Sequence, residues 1–159
     1  MSKTPILQLE TSLGDILKFR SFSATEELGR LFEYSVLAVA NFDDPVDPAA
    51  LLGTNATVSM TLGNGTKRHF HGIVVRAGME SAQGKLLGWR LQVRPWLWRL
   101  TRRSDSRVFQ DQSAVEIIKK VFEKYPGDTD WQVKGTVAKR AYCVQYRETD
   151  FNFVSRLME

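Results

Sequence analysis

The sequence predicts a mainly β chain with a minority of helix (α+β), organised around an antiparallel β-barrel. Three observations carry that reading. Runs of strand length between residues 16 and 93 alternate apolar and polar side chains, the period of two that a half-buried strand requires. Glycine-rich and polar turns separate them at intervals too short for a crossover helix, so sequence neighbours pair antiparallel. Helix signals are confined to one short insertion and to two segments after Pro95.

The first strand candidate covers residues 16–23. Residues 32–40 alternate, with Phe32, Tyr34, Val36 and Ala38 on one face and Glu33, Ser35, Leu37 and Val39 on the other. Phe42, Asp43, Asp44, Pro45 and Val46 lead into a short helix. Asp47 caps it, Pro48 takes the first helical position, where a missing N–H costs nothing, and Gly53 ends it. Residues 56–62 place Ala56, Val58, Met60 and Leu62 inward. Gly63, Asn64 and Gly65 then turn the chain into a return strand over 67–76. A second turn at 81–84 leads to residues 86–93, where Leu87, Trp89, Leu91 and Val93 share a face.

After Pro95 the pattern changes. Residues 96–103 are bulky and basic with no clean period. Ser113 and Glu116 make a capping box opening a helix that runs to Tyr125, with Val115, Ile118 and Phe122 on one face and Ile117 and Val121 beside it; Pro126 and Gly127 stop it. Residues 131–134 and 142–146 are short strand candidates. Thr149 or Asp150 caps a last helix of about three turns in which Phe151, Val154 and Met158 share a face, with Phe153 and Leu157 alongside. No stop signal closes that helix, so its apolar face is expected to need more chain to pack against. The 159 residues are therefore expected to be the amino-terminal piece of a longer protein. The boundaries fall at 1–95 for the barrel and 96–159 for a helix-containing continuation.

Composition narrows the classes. Hydrophobic residues at 43% and charged residues at 25% suit a globular chain with a real core. A net charge of +4 is far milder than a dedicated nucleic-acid domain carries. The single cysteine, Cys143, excludes an internal disulfide and an all-cysteine metal site; its apolar-aromatic setting reads as a buried strand thiol. No stretch reaches the roughly 18 apolar residues of a spanning helix, and residues 1–9 lack the basic start and apolar run of a signal peptide.

Candidate chemistry is sparse. His69 and His71 share one face of a strand, but the chain holds no third histidine and no nearby cysteine, so an outward polar pair explains them better than zinc. Asp43, Asp44 and Asp47 read as a solvated loop with a helix cap. No serine sits in a G-x-S-x-G elbow, and no glycine-rich loop opens a helix as a phosphate cradle does. No catalytic residue, cofactor or metal is expected. The most suggestive cluster is Trp96 and Trp98 with Arg99, Arg102, Arg103 and Arg107. Its rings could stack bases, but tryptophan with arginine is equally the composition of a protein–protein hot spot or of plain packing.

Several segments resemble, in order and in spacing, the amino-terminal domain of the VgrG family, the trimeric spike proteins of bacterial type VI secretion. They are residues 22–34, from Phe22 through Leu28 and Gly29 to Tyr34; 51–53; 68–74, around His69, Phe70 and His71; 95–101 with 105–110; and 144–159. The resemblance implies a fold like the baseplate hub of contractile phage tails, with a barrel, a short inserted helix and two further helices. It implies a homotrimer whose pseudo-sixfold face docks on the hexameric Hcp tube. It also implies effector or adaptor proteins reached through downstream regions, namely a second barrel, an OB-fold and a β-helical needle. Synthesis in the bacterial cytoplasm and release by the type VI system go with it. So do a structural, non-enzymatic role, no nucleic-acid partner and no stable membrane insertion. On this reading Trp96, Trp98, Arg99, Arg102, Arg107 and Phe70 are the candidate interface, serving trimer or tube contacts. The alternatives are a spike-associated cell-wall hydrolase and a single-stranded nucleic-acid module.

Overall fold

Alternation in the sequence becomes pairing in the computed structural model, which describes residues 6–125 and 127–159. Pro126, expected to help stop the second helix, and residues 1–5 of the amino-terminal stretch lie outside the described residues. Two compact units divide at residue 95.

The first unit, residues 1–95, contains β1 (Leu7–Glu10), β2 (Lys18–Thr25), β3 (Glu33–Asn41), α1 (Pro48–Leu51), β4 (Asn55–Thr61), β5 (Lys67–Gln83) and β6 (Leu86–Arg94). Every pairing is antiparallel, in the order β1-β4-β5-β6-β3-β2. The edges β1 and β2 approach without hydrogen-bonding, so the sheet curls into a half-barrel. Tyr34, Val36, Ala38 and Ala40 of β3 point into it, as do Ala56 and Val58 of β4 and Trp89, Leu91 and Val93 of β6. Tyr34 is stacked on Phe32 at 4.3 Å and edge-on to Phe22 and Phe70, each at 5.6 Å. As expected, Asp47 caps α1, its Oδ1 accepting the Ala49 N–H at 2.9 Å, and Leu51 plugs the core.

Three boundaries shift for physical reasons. A 3-10 turn over Gly14–Ile16 delays β2 to Lys18. β5 does not stop at Arg76: bulges between Val74 and Arg76 and between Met79 and Ser81 break the period of two while pairing with β6 continues to Gln83. Leu62, expected inward, lies past the end of β4 and is 40% exposed.

Gly72 is the tightest point of this sheet. A Cβ there would stand 2.5 Å from the Arg94 carbonyl oxygen and 2.9 Å from Val93 Cγ1. The obstacle is backbone, which cannot rotate aside. Gly72→Ala is expected to lower unfolding free energy by about 1–3 kcal/mol through overpacking, read as a shift in urea midpoint at unchanged slope. A variant as stable as the parent would show that β5 and β6 can part at this pair without cost.

The second unit, residues 96–159, holds a 3-10 helix (Trp96–Arg102), β7 (Ser104–Ser113), α2 (Ala114–Phe122), β8 (Lys139–Thr149) and α3 (Asp150–Met158). β7 and β8 form an antiparallel ribbon, with the helices packed on it and on one another. Ser113 and Glu116 make the expected capping box, and Thr149 caps α3, its hydroxyl accepting the Asn152 N–H at 3.1 Å. The buried faces differ from those expected. In α2 they are Ala114, Ile117, Ile118 and Val121, with Val115 and Phe122 only half-buried. In α3 they are Asp150, Phe153, Val154 and Leu157, while Met158 is 60% exposed. The apolar face of α3, expected to await further chain, is already covered within this unit by the 3-10 helix, α2 and β8. The strand candidate at 131–134 is irregular chain and pairs with no strand among the described residues. Its Trp131 turns instead onto Phe122, 5.8 Å away, and under the Lys119 ammonium at 5.1 Å.

Candidate functional site

β7 is mostly polar, and its inward residues explain why it is nonetheless a strand. Phe109 stacks on Phe153 at 5.6 Å. Arg107 enters the unit through a bulge: Asp105 pairs with Glu148, but Arg107 pairs with Gln145, so Tyr146 and Arg147 loop out opposite Ser106. Arg147 takes a left-handed backbone there (φ 48°), and its N–H donates to Ser106 Oγ at 3.2 Å. The bulge aims Arg107 and Gln145 at the first turn of α3.

A polar node results. Asp150 and Gln145 are each 0% exposed. Asp150 Oδ1 accepts from the Arg107 guanidinium and from Gln145 Nε2 (2.8 Å), and Oδ2 accepts from the Tyr125 hydroxyl (2.6 Å). Gln145 Oε1 accepts from Arg107 Nε at 2.8 Å, while Gln145 Nε2 also donates to the Glu148 carbonyl at 3.0 Å. The Asp150 N–H donates to the Arg103 carbonyl at 2.9 Å. A buried carboxylate survives only when paired and hydrogen-bonded, and every oxygen here is satisfied. At the start of a helix it also faces the positive end of the dipole. Burial first, then the bond to Asp150 and its charge, push the Tyr125 hydroxyl up to about 12. At the rim, Asp105 lies 3.5 Å from Arg107, 3.6 Å from Arg103 and 3.8 Å from Lys124. The Ser106 N–H, and then those cations, hold its carboxyl below the usual range.

The six candidate interface residues separate on this geometry. Phe70 is not at a surface: it is 6% exposed, closed in by Phe22 at 4.8 Å and Tyr34. Arg107 is spent inside the node. Neither the strand position that suggested Phe70 nor the composition that suggested Arg107 shows burial. Trp96 is half-buried, edge-on to Phe122 at 5.0 Å, with its ring so close over Gly127 that a Cβ there would stand 2.3 Å from it. Trp98 and Arg99 are half-buried and Arg102 is exposed, with the Arg102 guanidinium 5.5 Å over the Trp98 ring. That leaves Trp96, Trp98, Arg99 and Arg102 as the members with surface to offer. Reading Asp150 as a helix cap missed the node; the partners Arg107 and Gln145 lie on polar strands whose sequence gives no sign that these two side chains turn inward.

The remaining candidates are surface chemistry. His69 Nδ1 and Ser59 Oγ are hydrogen-bonded at 2.9 Å, and His71 Nδ1 and Thr57 Oγ1 at 2.8 Å, each pair directly cross-strand. Among the described residues no group of three or more His, Cys, Asp or Glu side chains comes together, and no helix is long and apolar enough to cross a membrane. Cys143 is buried in β8.

Solved structures share this arrangement of strands and helices. One is a component of the Escherichia coli type VI secretion system, described as structurally similar to the T4 bacteriophage tail proteins gp27 and gp5. It matches 95% of this chain and 42% of its own with a TM-score of 0.78 at 21% identity. A tail protein of prophage MuSo2 from Shewanella oneidensis matches 95% of this chain and 46% of its own at 0.63 and 14% identity. The fold is therefore one shared with bacteriophage and prophage tail proteins. Sequence takes the assignment one step further: the chain belongs to the phage tail baseplate hub (GPD) family, whose model matches residues 25–159. Curated relatives include the type VI secretion system spike proteins VgrG1a and VgrG1b of Pseudomonas aeruginosa, 44% and 42% identical over 100% and 99% of this chain. The chain spans only 25% and 21% of their respective lengths.

Proposed function

We propose that this chain is the hub segment of a type VI secretion spike and that it works by holding subunits rather than by turning over a substrate. The observation that carries the reading is the identity of 42–44% to spike proteins along the whole chain. Residues 1–95 serve as the first barrel, and 96–159 are a helix-containing continuation that leads towards a second barrel further along the full spike. Three copies form the ring, and its face meets the hexameric Hcp tube. Trp98, Arg99 and Arg102 contribute to subunit or tube contacts, since stacked tryptophan and arginine make effective anchors at low entropic cost. Effectors or adaptors attach elsewhere in the full spike, and the whole is released by the type VI machine. Neither the hydrolase nor the nucleic-acid alternative gains a specific observation.

The test is solution mass by light scattering across a concentration series. A species of three times 18.1 kDa is expected, and it should co-sediment with assembled Hcp. Trp98→Ala or Arg102→Ala should weaken one of the two associations. A single-chain mass at every concentration would overturn the self-assembly reading. Full association in both variants would remove this segment from the contact.

A further inference from the structure

Leu9, Val58 and Phe70 lie directly across from one another on β1, β4 and β5 and pack in the core of the half-barrel. Side chains alternate along a strand, so the residues flanking these three face outward. They form two cross-strand rows: Gln8, Ser59 and His69, and Glu10, Thr57 and His71. His69 and His71 are the only histidines in the chain. Both are exposed, and two residues of strand set their Cα atoms about 7 Å apart.

Each imidazole is held by its Nδ1, His69 by Ser59 Oγ at 2.9 Å and His71 by Thr57 Oγ1 at 2.8 Å. Ser59 is only 4% exposed, so its hydroxyl is a fixed point. Among the described residues neither Nε2 has a hydrogen-bond partner. With each Nδ1–H donating to its hydroxyl, the lone pair is left on Nε2, which is how proteins fix the tautomer and direction of a metal-binding imidazole. Spacing in the sequence put the two rings on one face; the paired hydroxyls are what the fold adds.

Two imidazoles do not make a closed zinc centre, and among the described residues no group of three or more His, Cys, Asp or Glu comes together. They make an open site whose remaining positions water fills. Imidazole suits Cu²⁺, Ni²⁺ and Zn²⁺, and Cu²⁺ stands highest in the affinity order. An ion shared by both rings needs the Nε2 atoms about 3 Å apart, which exposed rings reach by leaning together about their Nδ1 contacts. Glu10, at the end of the His71 row, adds negative charge nearby. Lys67, two residues before His69 on the same face, is exposed and carries its charge on a stem that can swing away.

We propose that His69 and His71 chelate one divalent transition-metal ion on the outer face of β5, with Ser59 and Thr57 as positioning residues. One copy suffices, so the site does not depend on the self-assembly reading.

Calorimetric titration of the chain with Cu²⁺ tests it, with Ni²⁺ and Zn²⁺ as comparisons. One Cu²⁺ per chain is expected, bound more tightly than the other two ions, with an electron paramagnetic resonance spectrum showing coupling to two imidazole nitrogens. Cys143 is buried and offers no competing thiolate. His69→Gln and His71→Gln, both at exposed positions, should keep the parent's circular dichroism and each weaken binding at least about tenfold, because a single ring no longer chelates. Thr57→Val keeps the β-branched shape and removes the hydroxyl, and should weaken binding about tenfold with both rings still present. A parent that takes up no Cu²⁺, or a histidine variant that binds like the parent, would overturn the site. So would a mass that doubles with Cu²⁺, which places the two rings of the complex on different copies. Unchanged binding in Thr57→Val would overturn the positioning role of the hydroxyls.

Discussion

Asp150→Ala is expected to lower the stability of residues 96–159 by about 3–5 kcal/mol, because removing one partner strands the other in the interior. Arg107 would keep its charge at a side-chain exposure of 17%, and Gln145 and Tyr125 would each lose an acceptor. Asp150→Asn keeps the shape and part of the hydrogen bonding, so its loss should fall between parent and alanine. Urea unfolding followed by tryptophan fluorescence reads this directly, since three of the four tryptophans, Trp96, Trp98 and Trp131, lie in this unit. An alanine variant within about 1 kcal/mol of the parent would mean that water or a backbone group can replace the carboxylate, and that the node is dispensable.

The same node gives an alkaline signature. The Tyr125 hydroxyl is held up to about 12 against an ordinary 10.0. A raised value means that the fold favours the protonated form. Its contribution is complete below pH 10 and is lost as pH climbs from 10 towards 12, where the unfolded chain releases the proton first. Tyr34 is also shifted upwards, by burial and by Glu26, so both units soften at high pH. Tyr125→Phe should remove only the second unit's share of that slope.

How far the sequence reached depended on whether the deciding interaction was local. β3, β4 and β6 were legible because each buries one face, and burial imposes alternation. The caps of α1 and α2 were legible because donor and acceptor are two or three residues apart. β7 was not: among its ten residues only Phe109 and Ser113 are buried, and it is a strand because β8, which begins at Lys139, pairs with it. The lower half of β5 was hidden by its two bulges. Phe70 and Arg107 were given to an interface because bulky aromatic and guanidinium groups suit interfaces as well as interiors, and only tertiary placement separates the uses. The hub fold itself came from the order of several motifs, among them the Arg107 and the Gln145–Asp150 stretch that close into the node.

The face of α3 offers the sharpest contrast between the two levels. Spacing alone groups Phe151, Val154 and Met158, and with the first turn of the helix unanchored that choice is as good as its neighbour. Asp150 removes the freedom. Drawn inward by Arg107, Gln145 and Tyr125, it fixes the rotation of the helix, and the residues three, four and seven positions later, Phe153, Val154 and Leu157, follow it into the core. Phe153 is fully enclosed and stacked on Phe109, so Phe153→Ala is expected to cost about 3–5 kcal/mol through lost contact and the cavity left behind. Met158→Ala, at an exposed site, should stay within about 0.5 kcal/mol of the parent. Reversed magnitudes would mean that the helix is rotated towards the spacing-based face and that Asp150 does not set its orientation. Combining Phe153→Ala with Asp150→Ala should then separate rotation from packing. If the buried aspartate sets the rotation, the double variant loses less than the sum of the singles, because a helix free to turn no longer presents Phe153 to the core.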